Sequence, residues 1–175
     1  MKYFVVLILI TSRLFSQEIL MPVERKMELS NANDSNYDNY VFKDRNNVFE
    51  KFLGKWFFKD SKYAINLEIY KQFDVENKQD GIYINLRLIK DNDTLINTLP
   101  FTKANYIAGG FFENKKNLNT TSVFLSEISS VWRCGAVSKV YLSRINDNLI
   151  WEIDDKQLFF NATASLFPST IKFTR

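Results

Sequence analysis

Histidine is absent from the 175 residues, cysteine occurs once, and proline and glycine number only three and five. Without histidine the chain lacks the commonest general base and the commonest biological metal ligand, which excludes a Ser-His-Asp triad, a Cys-His pair and a histidine zinc site. Ser122, Ser126, Ser129 and Ser130 therefore have no base of that kind to activate them. The lone Cys134 rules out an internal disulfide and a cysteine metal cluster, so stability has to come from packing. Arg133 beside it would favour a reactive thiolate, whereas a small buried side chain is the simpler reading. The scarcity of Gly and Pro excludes collagen-like and low-complexity chains.

No apolar run approaches the roughly 20 residues of a membrane-spanning helix. The longest opens the chain: Met1-Lys2, the apolar stretch Tyr3 to Ile10, and Thr11-Ser12-Arg13-Leu14-Phe15-Ser16. A positive start, a short apolar centre and a small residue at the end read as a signal peptide over residues 1–16, with a mature chain from Gln17 and a periplasmic or secreted destination. Losing Lys2 and Arg13 takes the 23 basic residues to 21 against 20 acidic ones. A near-neutral mature chain argues against a nucleic-acid partner, because phosphate binding needs a net basic surface.

What the chain does have is aromatic and aliphatic residues in alternation. Hydrophobic residues make up 46% and aromatics 15%, with sixteen Phe and eight Tyr, enough for one domain with an aromatic-rich core. Residues 17–46 show no sustained period and read as an extended polar arm or linker, whose start, Ile19 to Val23, is suited to dock as an edge strand. Asn47 to Gly54 predicts a helical turn or two, capped by Asn47 and Glu50 and closed by Gly54, that presents Phe49, Phe52 and Leu53 to the core. From Lys55 the period becomes two. Tyr63, Ile65, Leu67 and Ile69 share one face of a strand, and Ile82, Ile84, Leu86 and Leu88 share one face of the next, with Asp80-Gly81 ending the loop between them.

Further strands are predicted over residues 94–99, 106–112, 122–128, 137–145, 149–153 and 170–174, with turns at Asp91-Asn92-Asp93, Asn146-Asp147-Asn148 and Asp154-Asp155-Lys156. Strands every ten residues or so without long helices predict an all-β antiparallel meander, a sandwich or an up-and-down barrel over residues 47–175. Glu152, Asp154 and Asp155 crowd one turn without the spacing of a calcium loop, and no cofactor or metal site is expected. Asn33, Asn119 and Asn161 each open a glycosylation sequon, which matters only in a eukaryotic secretory route.

Phe52-Leu53-Gly54-Lys55-Trp56, a turn that runs into a strand opening Gly-Lys-Trp, resembles the Gly-x-Trp start of lipocalins and the related fatty-acid-binding barrels. Leader, arm, F-L-G-x-W opening and meander together resemble small lipocalin-like proteins that bacteria export. The resemblance implies an up-and-down barrel in which Trp56 closes one end and an arginine from a late strand packs across its indole. Arg175 or Arg144 is placed to do so, Arg175 being slightly favoured by position. Three departures accompany it: no second lipocalin motif, no helix after the last strand, and Arg175 as the last residue, so the barrel is either closed or incomplete.

Three functions remain open. The first is a binding module whose interior, lined by Trp56, Tyr63, Ile65, Leu67, Ile84, Leu86 and Trp151, holds a small apolar or amphipathic ligand. The second is an envelope interaction protein that docks a protein partner through edge strands or the arm. The third is an enzyme using paired carboxylates or tyrosine, for which no spacing speaks. Gly54, Trp56, Arg144 and Arg175 are expected to close the barrel floor.

Overall fold

The computed structural model describes residues 18–99, 107–112, 116–127, 136–154 and 167–175, with backbone alone for 107–109, 111, 125–127 and 136–138. The leader, Trp132, Cys134, Ser129, Ser130, Asp155 and Asn161 lie outside the described residues.

The described chain is mostly strand: β1 Ile19–Pro22, β2 Tyr40–Lys43, β3 Gly54–Lys59, β4 Tyr63–Asp74, β5 Gln79–Lys90, β6 Asp93–Asn97, β7 Ile107–Phe111, β8 Thr120–Glu127, β9 Ala136–Ile145, β10 Asn148–Ile153 and β11 Thr170–Phe173, with one short helix, α1 Lys26–Asn31. The two-residue period does what it should. Ile65, Leu67 and Ile69 on β4, and Ile82, Ile84, Leu86 and Leu88 on β5, are all buried. On the outer side of the same pair, Tyr70 lies opposite Tyr83 with ring centroids 5.9 Å apart. The two-residue turn from β5 to β6 places Asp91 and Asn92 at φ 51° and 72°, a conformation these short polar residues tolerate best after glycine. The β4–β5 connection ends at Lys78 (φ 48°), earlier than Asp80-Gly81, because both of those residues already pair with β4.

From β3 the antiparallel ladders run through β4, β5, β7, β8, β9 and β10 to β11. The two ends of this series meet at one residue pair: Phe57 N–H donates to the Thr174 carbonyl at 2.8 Å and Thr174 N–H donates back at 3.0 Å. No ladder of the sheet closes it into a barrel.

Strand β5 is the hub. One edge pairs along its whole length with β4, and the other is divided among β2 at Gln79, β7 at Ile82 and Tyr83, and β6 from Arg87 to Lys90. Thr98 fills the gap in this second ladder: its backbone N–H donates to the Leu86 carbonyl at 2.8 Å, and its Oγ1 accepts from Leu86 N–H at 2.8 Å. Strand β7 approaches closely because Gly110, at φ 106°, has no Cβ; one there would sit 2.8 Å from the Phe49 ring.

Residues 18–46 correct the expectation of an extended polar arm. They form β1, a 3-10 turn, α1, a second 3-10 turn and β2, with β1 parallel to β2 and β2 meeting β5 in parallel. Val23, Leu29, Tyr40, Val41 and Phe42 are buried, so this polar-looking segment contributes to the core. Only its first strand follows the sequence reading. Lys26 anchors the segment by donating to Gln79, and its ammonium lies 5.7 Å from the Phe42 ring centroid. Asp34 accepts from Asn36 N–H and from the Tyr40 hydroxyl, each at 2.9 Å.

The helical turn expected at residues 47–54 is a run of i to i+3 turns, with Glu50, Phe52 and Leu53 N–H groups donating three residues back. Its cap is Asp44 and not Asn47, which stands at φ 52°. Asp44 Oδ1 accepts from Val48 N–H at 2.7 Å and its Oδ2 from Lys71 Nζ at 3.1 Å. Phe49 and Phe52 are fully buried and Leu53 partly so. Burial, the largest single influence on Lys71, pulls its pKa down, yet hydrogen bonds and attraction from Asp44 and Glu50 together raise it.

Removing that carboxylate with Asp44→Ala leaves the buried Val48 N–H without its acceptor and Lys71 with Glu50 alone, at 3.5 Å. The expected loss is about 1–3 kcal/mol in denaturant unfolding, with Asp44→Asn recovering part of it. The Asp34 carboxyl is held below its ordinary value, chiefly by the Asn36 N–H and then by the Tyr40 hydroxyl. Its stabilising effect is therefore present above the unfolded value near 3.9 and lost as pH falls through the lower folded value. Hydrogen exchange should show the 18–46 segment losing protection as pH is lowered through that window, and Asp34→Asn should flatten the dependence.

Candidate functional site

Trp56 begins the geometry of the site. Gly54, at φ 111°, turns the chain from the Phe49–Leu53 turns into β3; a Cβ there would meet nothing within 4 Å, so the requirement for glycine is conformational. Two residues later Trp56 points inward, fully buried, and its Nε1–H donates to the Phe52 carbonyl at 2.8 Å. That bond satisfies the one polar atom of the plug within its own entry turn.

Both candidate arginines reach the indole. The Arg144 guanidinium carbon lies 5.0 Å from the ring centroid and that of Arg175 lies 4.7 Å away. Arg175 also donates from Nη2 to the Leu53 carbonyl at 3.1 Å, tying the last residue to the turn that precedes Trp56. Arg144 is held by its backbone N–H to the Asn119 carbonyl at 2.8 Å and by Nη2 to Asp147 Oδ1 at 3.3 Å, while its buried Nη1 has no hydrogen-bond partner among the described residues. The indole face is the electron-rich surface beside that guanidinium. Spacing alone offered the two arginines as alternatives; the fold brings both to one ring because β9 and β11 flank β10, and β11 turns back onto β3.

Of the other residues expected to line an interior, Ile65, Leu67, Ile84, Leu86 and Trp151 are buried in the same continuous cluster as Trp56, together with Phe49, Phe52, Phe112 and Phe173. Tyr63 is half-buried at the far end of β4, with the Lys62 and Lys90 ammonium groups 5.7 and 5.6 Å from its ring centroid, a rim position. The aromatic residues from the turns before β3 crowd the Trp56 end. Trp151 sits further along β10, with Phe167 at 5.5 Å and Phe173 at 6.4 Å between ring centroids. Its Nε1 is buried and makes no hydrogen bond among the described residues. Sequence alternation placed Trp151 inside but carried no information about its donor.

Among the described residues, no three His, Cys, Asp or Glu side chains come together as a metal site, and no helix is long and apolar enough to cross a membrane. Comparison with known proteins gives no match to a protein-family model, a curated protein or a solved structure.

If Trp56 is the plug these contacts describe, Trp56→Ala should cost about 3–5 kcal/mol in denaturant unfolding. Arg175→Ala should cost about 0.5–2 kcal/mol. A loss below about 1 kcal/mol for the tryptophan variant would remove the plug role.

Proposed function

We propose that this chain is an exported, lipocalin-like binding protein that holds a small apolar or amphipathic molecule inside a barrel of eight strands, β3, β4, β5, β7, β8, β9, β10 and β11. The observation that carries the reading is the Trp151 Nε1–H, fully buried beside Phe167 and Phe173 and without an acceptor among the described residues. A buried donor left unpaired costs about 1–3 kcal/mol, a debt that a ligand carbonyl, hydroxyl or carboxylate would cancel. The order of the eight strands, the Phe57–Thr174 pair between first and last, and the arginine-flanked Trp56 at one end support the barrel. A ligand would then enter from the opposite end, where β4 begins and β5 finishes. The composition of residues 1–16 supports export, and no side chain is assigned a catalytic role.

A second reading, an envelope protein that captures a partner by strand addition, has its own observation. β1 pairs only with β2 among the described residues, and Ile19 and Leu20 on it are 41% and 55% exposed.

Native mass spectrometry of the protein recovered from its exported fraction separates the two. A mature mass beginning at Gln17 with a discrete extra mass is expected; a bare mature mass favours strand addition. Trp151→Phe should lower the occupancy of that extra mass while changing stability little, because losing the unpaired donor offsets the lost ring area. Full occupancy in the variant would exclude the indole as a ligand contact.

A further inference from the structure

A cleft of about 320 Å³ opens where the folded 18–46 segment meets the turn between β4 and β5, outside the buried cluster that holds Trp56. One wall is aromatic. Tyr37 packs 5.6 Å from Phe42 and 6.4 Å from Tyr40 between ring centroids, and Tyr40 and Phe42 are buried behind it while Tyr37 stays half-exposed. The other wall is the polar turn at Glu76, Asn77 and Lys78.

The polar groups divide into those already engaged and those still able to bind. Tyr40 donates its hydroxyl to Asp34, Asn77 is held by Asp74, and Lys26 by Gln79. The Tyr37 hydroxyl and the carboxylates of Asp38 and Glu76 make no hydrogen bond among the described residues, and Lys78 Nζ makes a long one, 3.4 Å to the Asp38 carbonyl, beside a loose ion pair with Glu18 at 3.9 Å. Two lysines and two carboxylates line the cleft, so its charge is balanced. An anion would meet Asp38 and Glu76, a cation would meet Lys26 and Lys78, and a wholly apolar molecule would strand all four. A neutral molecule with hydroxyls on its edge and C–H bonds on its face satisfies every group: the face lies on the Tyr37 ring, and the hydroxyls donate to the carboxylates and accept from Lys78.

We propose that this cleft is a saccharide site, distinct from the interior, that takes one or two sugar rings against Tyr37. Its volume is at the lower end of the roughly 300–1,000 Å³ of small-molecule pockets, which suits a mono- or disaccharide.

The test is a titration of the isotope-labelled mature chain with glucose, N-acetylglucosamine, maltose and cellobiose, followed by amide chemical shifts. At least one sugar should shift Tyr37, Asp38, Asn77 and Lys78 saturably in the millimolar range, leaving the Trp151 indole signal in place. Tyr37→Ala should weaken that binding about tenfold or more, and Glu76→Gln, at an exposed turn position that does not hold the fold, should weaken it independently. The proposal is overturned if none of the four sugars shifts these amides. It is equally overturned if both variants bind as the parent does, or if acetate or tetramethylammonium saturates the cleft where the sugars do not.

Discussion

The indole of Trp56 is the point at which distant parts of this chain are made to agree. Its N–H is satisfied by Phe52, four residues earlier, and two guanidiniums from β9 and the last residue lie over its ring. Each contact is modest alone, of the order of 1 kcal/mol. Together they set where the turns at residues 48–53 enter the sheet, how β11 approaches β3, and which side chains crowd that end of the core. The Phe57–Thr174 pair lies one residue from the plug at one end and one residue from Arg175 at the other, so the hydrogen bonds that join first and last strands are positioned by the same ring.

The folded 18–46 segment changes the outer shape of the molecule. As a loose tether it would carry no surface of its own. Packed through Phe42 and Tyr40, with Lys26 on Gln79, it covers part of the edge of β5 and creates the seam that becomes the second cleft. Asp74 illustrates the electrostatics of that seam. Burial raises its pKa, but hydrogen bonds from the turn and the Lys26 charge outweigh burial and keep it low, whereas Lys26 is lowered because burial outweighs the carboxylate.

Much of the sheet was legible from alternation alone, because β4, β5 and β10 set buried aliphatic or aromatic residues at every second position over enough residues for the period to show. Gly54, Trp56 and the two arginines were legible as a motif with its partners. What escaped was short or long-range. β2 has four residues, of which three in succession are buried, so it has no alternation to read, and its parallel partners are not adjacent in sequence. The Asp44 cap was hidden because the capped N–H belongs to Val48, on the far side of a residue at positive φ. Gly110 falls inside the strand predicted over residues 106–112; that Phe49 needs its missing Cβ is visible only in three dimensions.

The pair that links Phe57 to Thr174 has a consequence in time as well as in space. The residues it joins are separated by most of the chain, and contacts of such separation form late, after the loop-closure entropy has been met by nearer ones. Hairpins such as β4–β5 and β9–β10 assemble locally, while β3 and β11 wait with open edges, Phe57 on one of them being nearly half exposed even in the finished fold. For that interval the nascent sheet is a strip with two sticky borders, and its safest partner is its own other end. Solubility during folding is then a race between the pairing of Phe57 with Thr174 and an encounter with a second chain, which dilution slows.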